Sequence, residues 1–379
     1  MYDISVSTIA KHFGKLEDPR IDRTKLHLLS DILTIAICAV ICDADGWVDV
    51  ENYGVSKHTW LATFLPLPNG IPSHDTFGRV FARIDPQQFQ ACFIRWMRDI
   101  YRVTNGEVVP IDGKTLRHSF DPELGLSPIH MVSAWATSNR LVLGQLKVDD
   151  KSNEITAIPA LLKTLDIAGC VVTIDAIGCQ KSIARQIIEQ SGDYVLALKA
   201  NQETLYADVR ALLDHLIATG DADLDYYETS EENHGRIEVR RYWTTSRLDT
   251  LRSRDAWHKL QTIGAVEAER STNGETTTER RYYILSLPST AKTFGNAVRS
   301  HWEIENVVHW VLDIAFREDE CRIRMGHGPE NFAVLRHIAL NLLRQETTFK
   351  GSIKSKRHRA GWNESYLKKV LNAVYEPND

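Results

Sequence analysis

The chain lacks most of the features that assign a protein quickly. Its longest apolar run, ILTIAICAVIC from Ile32 to Cys42, falls well short of the roughly 20 residues a membrane-spanning helix needs, so it reads as a buried helix. The N-terminal stretch MYDISVSTIAKHFGK has no basic-then-apolar layout of a secretion signal. Cys38, Cys42, Cys92, Cys170, Cys179 and Cys321 are scattered without zinc-ligand spacing. They read as reduced core thiols, which points to a cytoplasmic protein without membrane contact. There is no phosphate-cradling P-loop and no dinucleotide fingerprint, so no nucleotide cofactor is expected. Ser119 and Ser133 stand outside any nucleophile-elbow pattern, which leaves serine hydrolysis without support. No repeat or low-complexity segment is visible.

What is present is an ordinary globular composition. Hydrophobic residues make up 43% and charged residues 25% of 379, enough for a sizeable core and two or three structural units. The formal net charge of −5 argues, taken alone, against a nucleic-acid partner. The distribution reverses that. From Arg344 to Val370 there are eight basic and two acidic residues, a surplus of six. A basic stretch on an acidic body suits a DNA enzyme that also needs carboxylates for metal.

Pattern changes along the chain divide it into residues 1–104, 105–345 and 346–379. The first part reads as helical. Ser30-Asp31 is placed to cap the apolar helix, Ser73 to cap HDTFGRVFARI, and Pro86 to open PQQFQACFIRWMRDIY. From about 106 the reading turns to strands. EVVPID ends at Asp112-Gly113, and HMVSAWATS and LVLGQLKVD form a hairpin around Asn139-Arg140. A helix over 153–165 precedes VVTIDA, which ends at Asp175; QKSIARQIIEQ and YVLALK follow. Three antiparallel strands, then strands alternating with helices, predict an α/β mixed sheet with helices on its faces. Residues 220–289 alternate in the strand manner, with Asn273-Gly274 as a hairpin turn, and read as a β-rich insertion. Helical periodicity returns from Asn296 to Phe316 and from Glu330 to Gln345.

Two aspartates, Asp112 and Asp175, thus stand at the ends of apolar strands, where α/β sheets present functional groups to a crevice. The bland alternative for each is a turn aspartate. Hard divalent cations take oxygen ligands, and two such ions can serve both oxygens of a phosphoryl displacement. A third acid is available on RSHWEIENVVHWVLDIAF. There Trp302, Ile304, Val308 and Leu312 form an apolar stripe, and Glu305 stands near its boundary. A solvated helix with salt-bridging glutamates is the alternative.

The runs PIDGKTLRHS, VSAWATSNRLVLGQLKVDDKSNEITAIPALL, TIDAIGCQKSIA, YVLALKANQ, NHGRIEVRRY and HWEIENVVHWVLDIAFREDECRIR resemble the insertion-sequence transposases of the H-repeat-associated group, a branch of the DDE transposases. IPSHDTFGRVFARIDP resembles the helical segment ahead of their catalytic domain. The resemblance covers nearly the whole chain. It implies a ribonuclease H-like core in which Asp112, Asp175 and a glutamate bind metal, Mg²⁺ or Mn²⁺, as two ions. Related transposases carry Tyr-x-x-Arg-x-x-x-Glu with a lysine seven residues on. Aligned on Glu305, this places Val298, His301 and Leu312 at the other positions, so only the glutamate survives; alignment on Arg299 makes Glu303 the acid instead. The context Trp-x-Ile-Glu, Trp302 to Glu305, favours Glu305. The implied partner is double-stranded DNA, as element terminal inverted repeats and target, with a homodimer on DNA.

Candidate DNA contacts follow from charge and placement. Arg79 and His74 lie on a helix that reads as the second of a helix-turn-helix-like unit. Lys114 and Arg117 follow the first aspartate, and Lys199, Asn201 and Gln202 follow the fifth strand. His301, His309 and Arg299 flank the glutamate, and His234, Arg236, Arg240 and Arg241 belong to the β-rich stretch. Lys354, Lys356, Arg357 and Arg359 read as a backbone clamp, with Gly351 and Gly361 as flexible joints.

Overall fold

Ile32 to Ile41 carries no polar face because in the folded chain it has no exposed side: every residue of that stretch is buried. The computed structural model describes residues 4–100, 106–119, 128–148, 153–233, 236–272 and 275–373. Six helices come first: α1 (Ile4–Phe13), α2 (Leu29–Ile41), α3 (Trp47–Ser56), α4 (His58–Leu61), α5 (His74–Phe81) and α6 (Pro86–Ile100). The cap expected at Ser30-Asp31 is displaced. Helix α2 begins at Leu29, and Asp31 lies buried in its first turn, accepting the Leu67 amide at 3.0 Å. Its carboxylate serves a neighbouring loop rather than its own helix end. Ser73 does precede α5, but its hydroxyl meets the Thr76 hydroxyl at 3.2 Å instead of a helix amide.

The strands are β1 (Val108–Leu116), β2 (Ile129–Ala136), β3 (Leu141–Lys147), β4 (Val171–Ile174), β5 (Asp193–Leu198), β6 (Asp225–Asn233), β7 (Arg236–Thr245), β8 (Thr262–Thr272) and β9 (Glu275–Leu285). They form one nine-stranded sheet in the order β3-β2-β1-β4-β5-β9-β8-β7-β6. The pairs β1–β4 and β4–β5 are parallel; the other neighbours are antiparallel. This is the mixed sheet expected of a ribonuclease H-like core. The β-rich stretch extends that same sheet, since β9 pairs with β5 and β8, β7 and β6 add outward. The turn at Asn273-Gly274 and His234 lie outside the described residues, as does the side chain of Arg236.

Helices α7 (Glu154–Thr164), α8 (Lys181–Glu189) and α9 (Glu203–Thr219) cover one face, where Ile158, Leu161 and Leu162 pack with Val109, Ile111 and Val132. On the other face lies α10 (Ala291–Glu303), continued by a π-helical turn (Ile304–His309) and α11 (Trp310–Phe316). Phe294, Ala297 and Val298 seat α10 against Val171, Val195 and Tyr283. Helix α12 (Gly328–Gln345) is buried from Gly328 to Leu343 and joins sheet to helices. Its Asn341 accepts the Val142 amide and donates to the Val142 carbonyl, both at 2.9 Å, which closes part of the β3 edge.

The C-terminal region departs from expectation. In place of a flexible basic clamp, α13 (Ile353–Trp362) and α14 (Glu364–Asn372) pack into the same core as α1, α2 and α12, and Gly361 lies inside α13. Among the described residues no helix is long and apolar enough to cross a membrane.

Candidate active site

Strand register brings the two aspartates together. In the parallel pair Val108 stands beside Val171 and Ile111 beside Ile174. The next step places Asp112 beside Asp175, where β4 has just ended. β1 itself does not end there: Gly113 to Leu116 continue in antiparallel pairing with β2. Asp112 is therefore a mid-strand residue made accessible by the shorter neighbour. Asp175 opens the loop after β4, and its Oδ1 accepts the amides of Ile177 at 3.0 Å and Gly178 at 3.3 Å. The turn-aspartate geometry and the candidate ligand are thus the same residue. Asn201 Nδ2 donates to the Ala176 carbonyl at 2.6 Å and Gln202 Nε2 to the Cys179 carbonyl at 3.0 Å. These two side chains hold the Asp175 loop instead of reaching for phosphate.

The long helix over the site contributes imidazoles. His309 Nε2 donates to Asp112 Oδ2 at 3.1 Å, and His301 Nδ1 stands 3.0 Å from the Thr173 hydroxyl on β4. Burial works to push the Asp112 carboxyl up, but His309 and then His301 hold it below the ordinary carboxylate range. Asp175 goes the other way: burial raises it, and the charges of Glu154 and Asp112 add to the rise. Burial lowers the His301 imidazole. A pair of carboxylates that repel one another where β4 ends, in the middle of the sheet, is the donor set a hard cation relieves, so Asp112 and Asp175 fit a divalent metal.

Glu305 sits in the π-helical turn, a local irregularity of the helix that is often found at functional sites. Ile304 and Val308 within that turn are buried, while Glu305 is exposed. It borders a groove of about 840 Å³ between α10 and the face of β7–β9, together with Arg240, Arg270, Arg281, Arg299 and Trp302. Arg281 lies over the Trp302 ring at 4.4 Å. Each arginine is matched by a carboxylate: Arg299 and Glu231 at 2.7 Å, Arg240 and Glu238 at 2.6 Å, Arg270 and Glu238 at 3.0 Å, Arg281 and Glu279 at 2.8 Å. Arg241 points to the opposite face, where Glu228 and Glu269 bind it. Among the described residues no three His, Cys, Asp or Glu side chains stand close enough together to hold a metal ion. Glu305 is thus on the adjoining helix, but it is not joined to Asp112 and Asp175 in one ligand set.

Several predicted DNA contacts have other partners. Lys114 is mostly buried, pairing with Asp313 and, at 2.9 Å, with Glu318. Its charge is consumed inside the protein, where Glu318 in turn faces Arg336 at 3.7 Å. Lys356 is buried and donates to the carbonyls of Leu343, at 2.8 Å, and Glu346, where α12 ends. Arg357 is fully buried, donating to the carbonyls of Val40, Ala44 and Ala315. Neither can clamp DNA from there, because the unsatisfied carbonyls at helix ends have claimed both cations. Lys354 and Arg359 are exposed, as is Arg79 on α5. His74 on that helix is taken up by Glu51 at 2.5 Å. What sequence reading missed is the pair His130 and Glu154, 2.6 Å apart on the far side of Gly113. A first-turn acid behind an Asn cap carries no sequence signal that separates it from ordinary helix capping.

These features define a ribonuclease H-like core with adjacent carboxylates, one mid-strand and one just past a strand end, and the chain belongs to the DDE transposases: the family model described as "Transposase DDE domain" matches residues 104–342, and "DDE_Tnp_1-associated" matches residues 10–97. Within that family it is similar to the "H repeat-associated putative transposase YhhI" of Escherichia coli K12, with 41% identity over 373 residues, 97% of this chain and 98% of that protein. It is 38% identical over 377 residues to the "Putative transposase YncI" of Escherichia coli O157:H7, covering 98% and 96% of the two chains. An "Uncharacterized protein in dhlA 3'region" of Xanthobacter autotrophicus is 47% identical over 281 residues, 72% of this chain and 92% of that one. Membership in this family implies use of a divalent metal and binding of DNA.

Proposed function

We propose that the protein cleaves and joins DNA strands at the ends of a mobile element by metal-dependent phosphoryl transfer, with Asp112, Asp175 and Glu305 as its acidic centre. The observation that carries this reading is the register that sets Asp112 beside Asp175 where β4 ends. Mg²⁺ or Mn²⁺, as two ions, is the cofactor of this reading, and the chemistry such ions supply is polarisation of the phosphoryl group and activation of the attacking oxygen. The chain's own residues do the rest. His309 keeps Asp112 ionised and oriented, and the Ile177 and Gly178 amides fix Asp175. Arg240, Arg281 and Arg299 line the groove that leads to Glu305 and exchange their glutamates for backbone phosphates when DNA enters. Phosphoryl transfer demands chiefly this positioning and charge neutralisation. Two DNA ends call for two active sites, so the active form is a homodimer on DNA.

The test uses the inverted repeats found by sequencing the DNA that flanks the gene. Asp112→Asn, Asp175→Asn and Glu305→Gln should each abolish Mg²⁺-dependent cleavage of that DNA while retaining its gel shift. Normal cleavage by Asp112→Asn would sink the reading. Normal cleavage by Glu305→Gln together with loss in Glu303→Gln would transfer the third role to Glu303.

A further inference from the structure

Helix α12 ends against two elements at once, the β2–β3 hairpin and the π-helical turn that carries Glu305. Its hold on the hairpin is firm. Asn341 bonds both backbone groups of Val142 at 2.9 Å, and Gln345 Nε2 donates to the Asn139 carbonyl at 3.2 Å. Between them, Arg344 lays its guanidinium over the buried Trp135 ring of β2, 4.4 Å from the ring centre. Its Nη2 then crosses to the helix over the site and donates to the Val307 carbonyl. Val307 lies within the π-helical turn Ile304–His309, where the Trp310 amide reaches back five residues to the Glu305 carbonyl. Charge pairing does not explain this placement. Among the described residues no carboxylate pairs with Arg344, and its Nη1 is buried without a hydrogen-bond partner. Burial and then the like charge of Arg140 push the group down to about 9. Arg357, by contrast, has Asp43 and Asp45 beside it, and Arg336 has Glu318. Burying an unpaired cation is costly, so a side chain that merely filled this gap would be apolar.

We infer that Arg344 is a positioning residue of the active site: it braces the π-helical turn against the hairpin and so sets where that turn presents Glu305 and His309. The inference rests on the acidic centre proposed above and concerns how its third member is held. One end of the brace is fixed to the sheet that carries the first aspartate. Ser133 of β2 stands beside Asp112 in the register, and Trp135 follows two residues along the same strand. The other end is the Val307 carbonyl, two residues from Glu305 and two from His309, whose Nε2 meets Asp112 at 3.1 Å. Elsewhere the same long helix is tied to the sheet by His301 at Thr173, before the turn, and by Asp313 at Lys114, after it. A π-helical turn departs from the regular helical ladder, and a side chain that donates to one of its carbonyls stabilises the departure. A shift of about 1 Å in a reacting group, caused from a distance, costs about 100-fold in rate.

The experiment compares Arg344→Met with wild type, Asp112→Asn and Glu305→Gln, all as the full chain. Four quantities are read: the single-turnover rate of element-end DNA cleavage at saturating Mg²⁺, the gel-shift affinity, the Tm, and amide hydrogen exchange across residues 300–312. Arg344→Met should cleave about 100-fold more slowly, with DNA affinity and Tm at their wild-type values and faster exchange confined to the π-helical turn. Arg344→Lys, which keeps the charge and a donor, should recover part of the rate. Should Arg344→Met fail to fold, Arg344→Gln, too short to reach Val307, reads the same contact. Wild-type cleavage and exchange in the Arg344 variant, with Asp112→Asn and Glu305→Gln both inactive, overturns this inference alone. A slow variant whose Tm falls and whose exchange rises throughout the chain also overturns it, since Arg344 then supports the whole fold rather than the turn. Wild-type cleavage by Glu305→Gln removes Glu305 from the centre, and both readings fall.

Discussion

Replacing Arg357 by methionine separates a structural role from a DNA-binding one. The guanidinium is wholly buried. Its Nε and Nη2 donate to the Val40 carbonyl at 3.1 and 2.9 Å, its Nη2 to the Ala44 carbonyl at 3.2 Å, and its Nη1 to the Ala315 carbonyl. Asp43 at 3.1 Å and Asp45 at 3.4 Å balance the charge, and the Phe316 ring lies 4.2 Å from the guanidinium carbon. One side chain therefore ties the end of α2, the end of α11 and helix α13 together. Methionine keeps most of the stem's volume but strands those carbonyls and leaves two aspartates facing each other. Breaking a buried pair from one side in this way costs about 3–5 kcal/mol. Unfolding entropy near 2.1 cal/mol/K per residue gives roughly 0.8 kcal/mol/K for a chain of this length, so the expected drop in Tm is about 5 °C. Calorimetry with and without DNA measures it, and the DNA affinity of the folded variant should stay at the wild-type value. Wild-type Tm combined with weakened DNA binding would refute the burial argument and restore Arg357 to a clamp.

Two further expectations follow from the same region and from the lysine beside the site. Neutralising exposed Lys354 and Arg359 together should weaken binding equally on element-end and random DNA and flatten the dependence of log K on log salt by about 0.9 for each phosphate no longer neutralised; an unchanged slope would remove α13 from the interface. Burial works to raise the Glu318 carboxyl, yet Lys114 and Arg336 hold it below its ordinary 4.5. A depressed carboxylate contributes stability above its unfolded value and loses it as pH falls through the folded one. Glu318→Gln should therefore unfold at lower urea at neutral pH and show a shallower loss of stability below about pH 4.5. A pH profile parallel to wild type would contradict the pairing.

How much could be read from sequence divides along physical lines. The β1–β2–β3 hairpins, the strand before Asp175 and helix α7 were legible because period-2 and period-3.6 patterns reflect one buried face each. Asp112 and Asp175 could be singled out for the same reason, as polar residues at the ends of apolar runs. That Asp112 lies mid-strand was not legible, since it depends on β2 outlasting β4 as a partner, a property of pairing rather than of local sequence. The π-helical turn at Glu305 was hidden too. Its six residues read as ordinary helix; in the structure Ile304 and Val308 of that turn are buried and His309 reaches Asp112.

Charge was the least transparent signal. SIKSKRHRAGW has the composition of a solvated face, yet its two central cations are the ones drawn inside. A carbonyl at a helix end offers no sequence mark; it becomes a demand for a cation only once packing removes its water. Lys356 answers such a demand at the end of α12 and Arg357 at the ends of α2 and α11. Lys114 answers a related one among Asp313, Glu318 and Asp319. The cations left on the groove beside Glu305, Arg240, Arg270, Arg281 and Arg299, are held in turn by Glu231, Glu238 and Glu279. Those glutamates leave the groove nearly neutral. In the proposed reading, phosphates displace these carboxylates from arginines already in position.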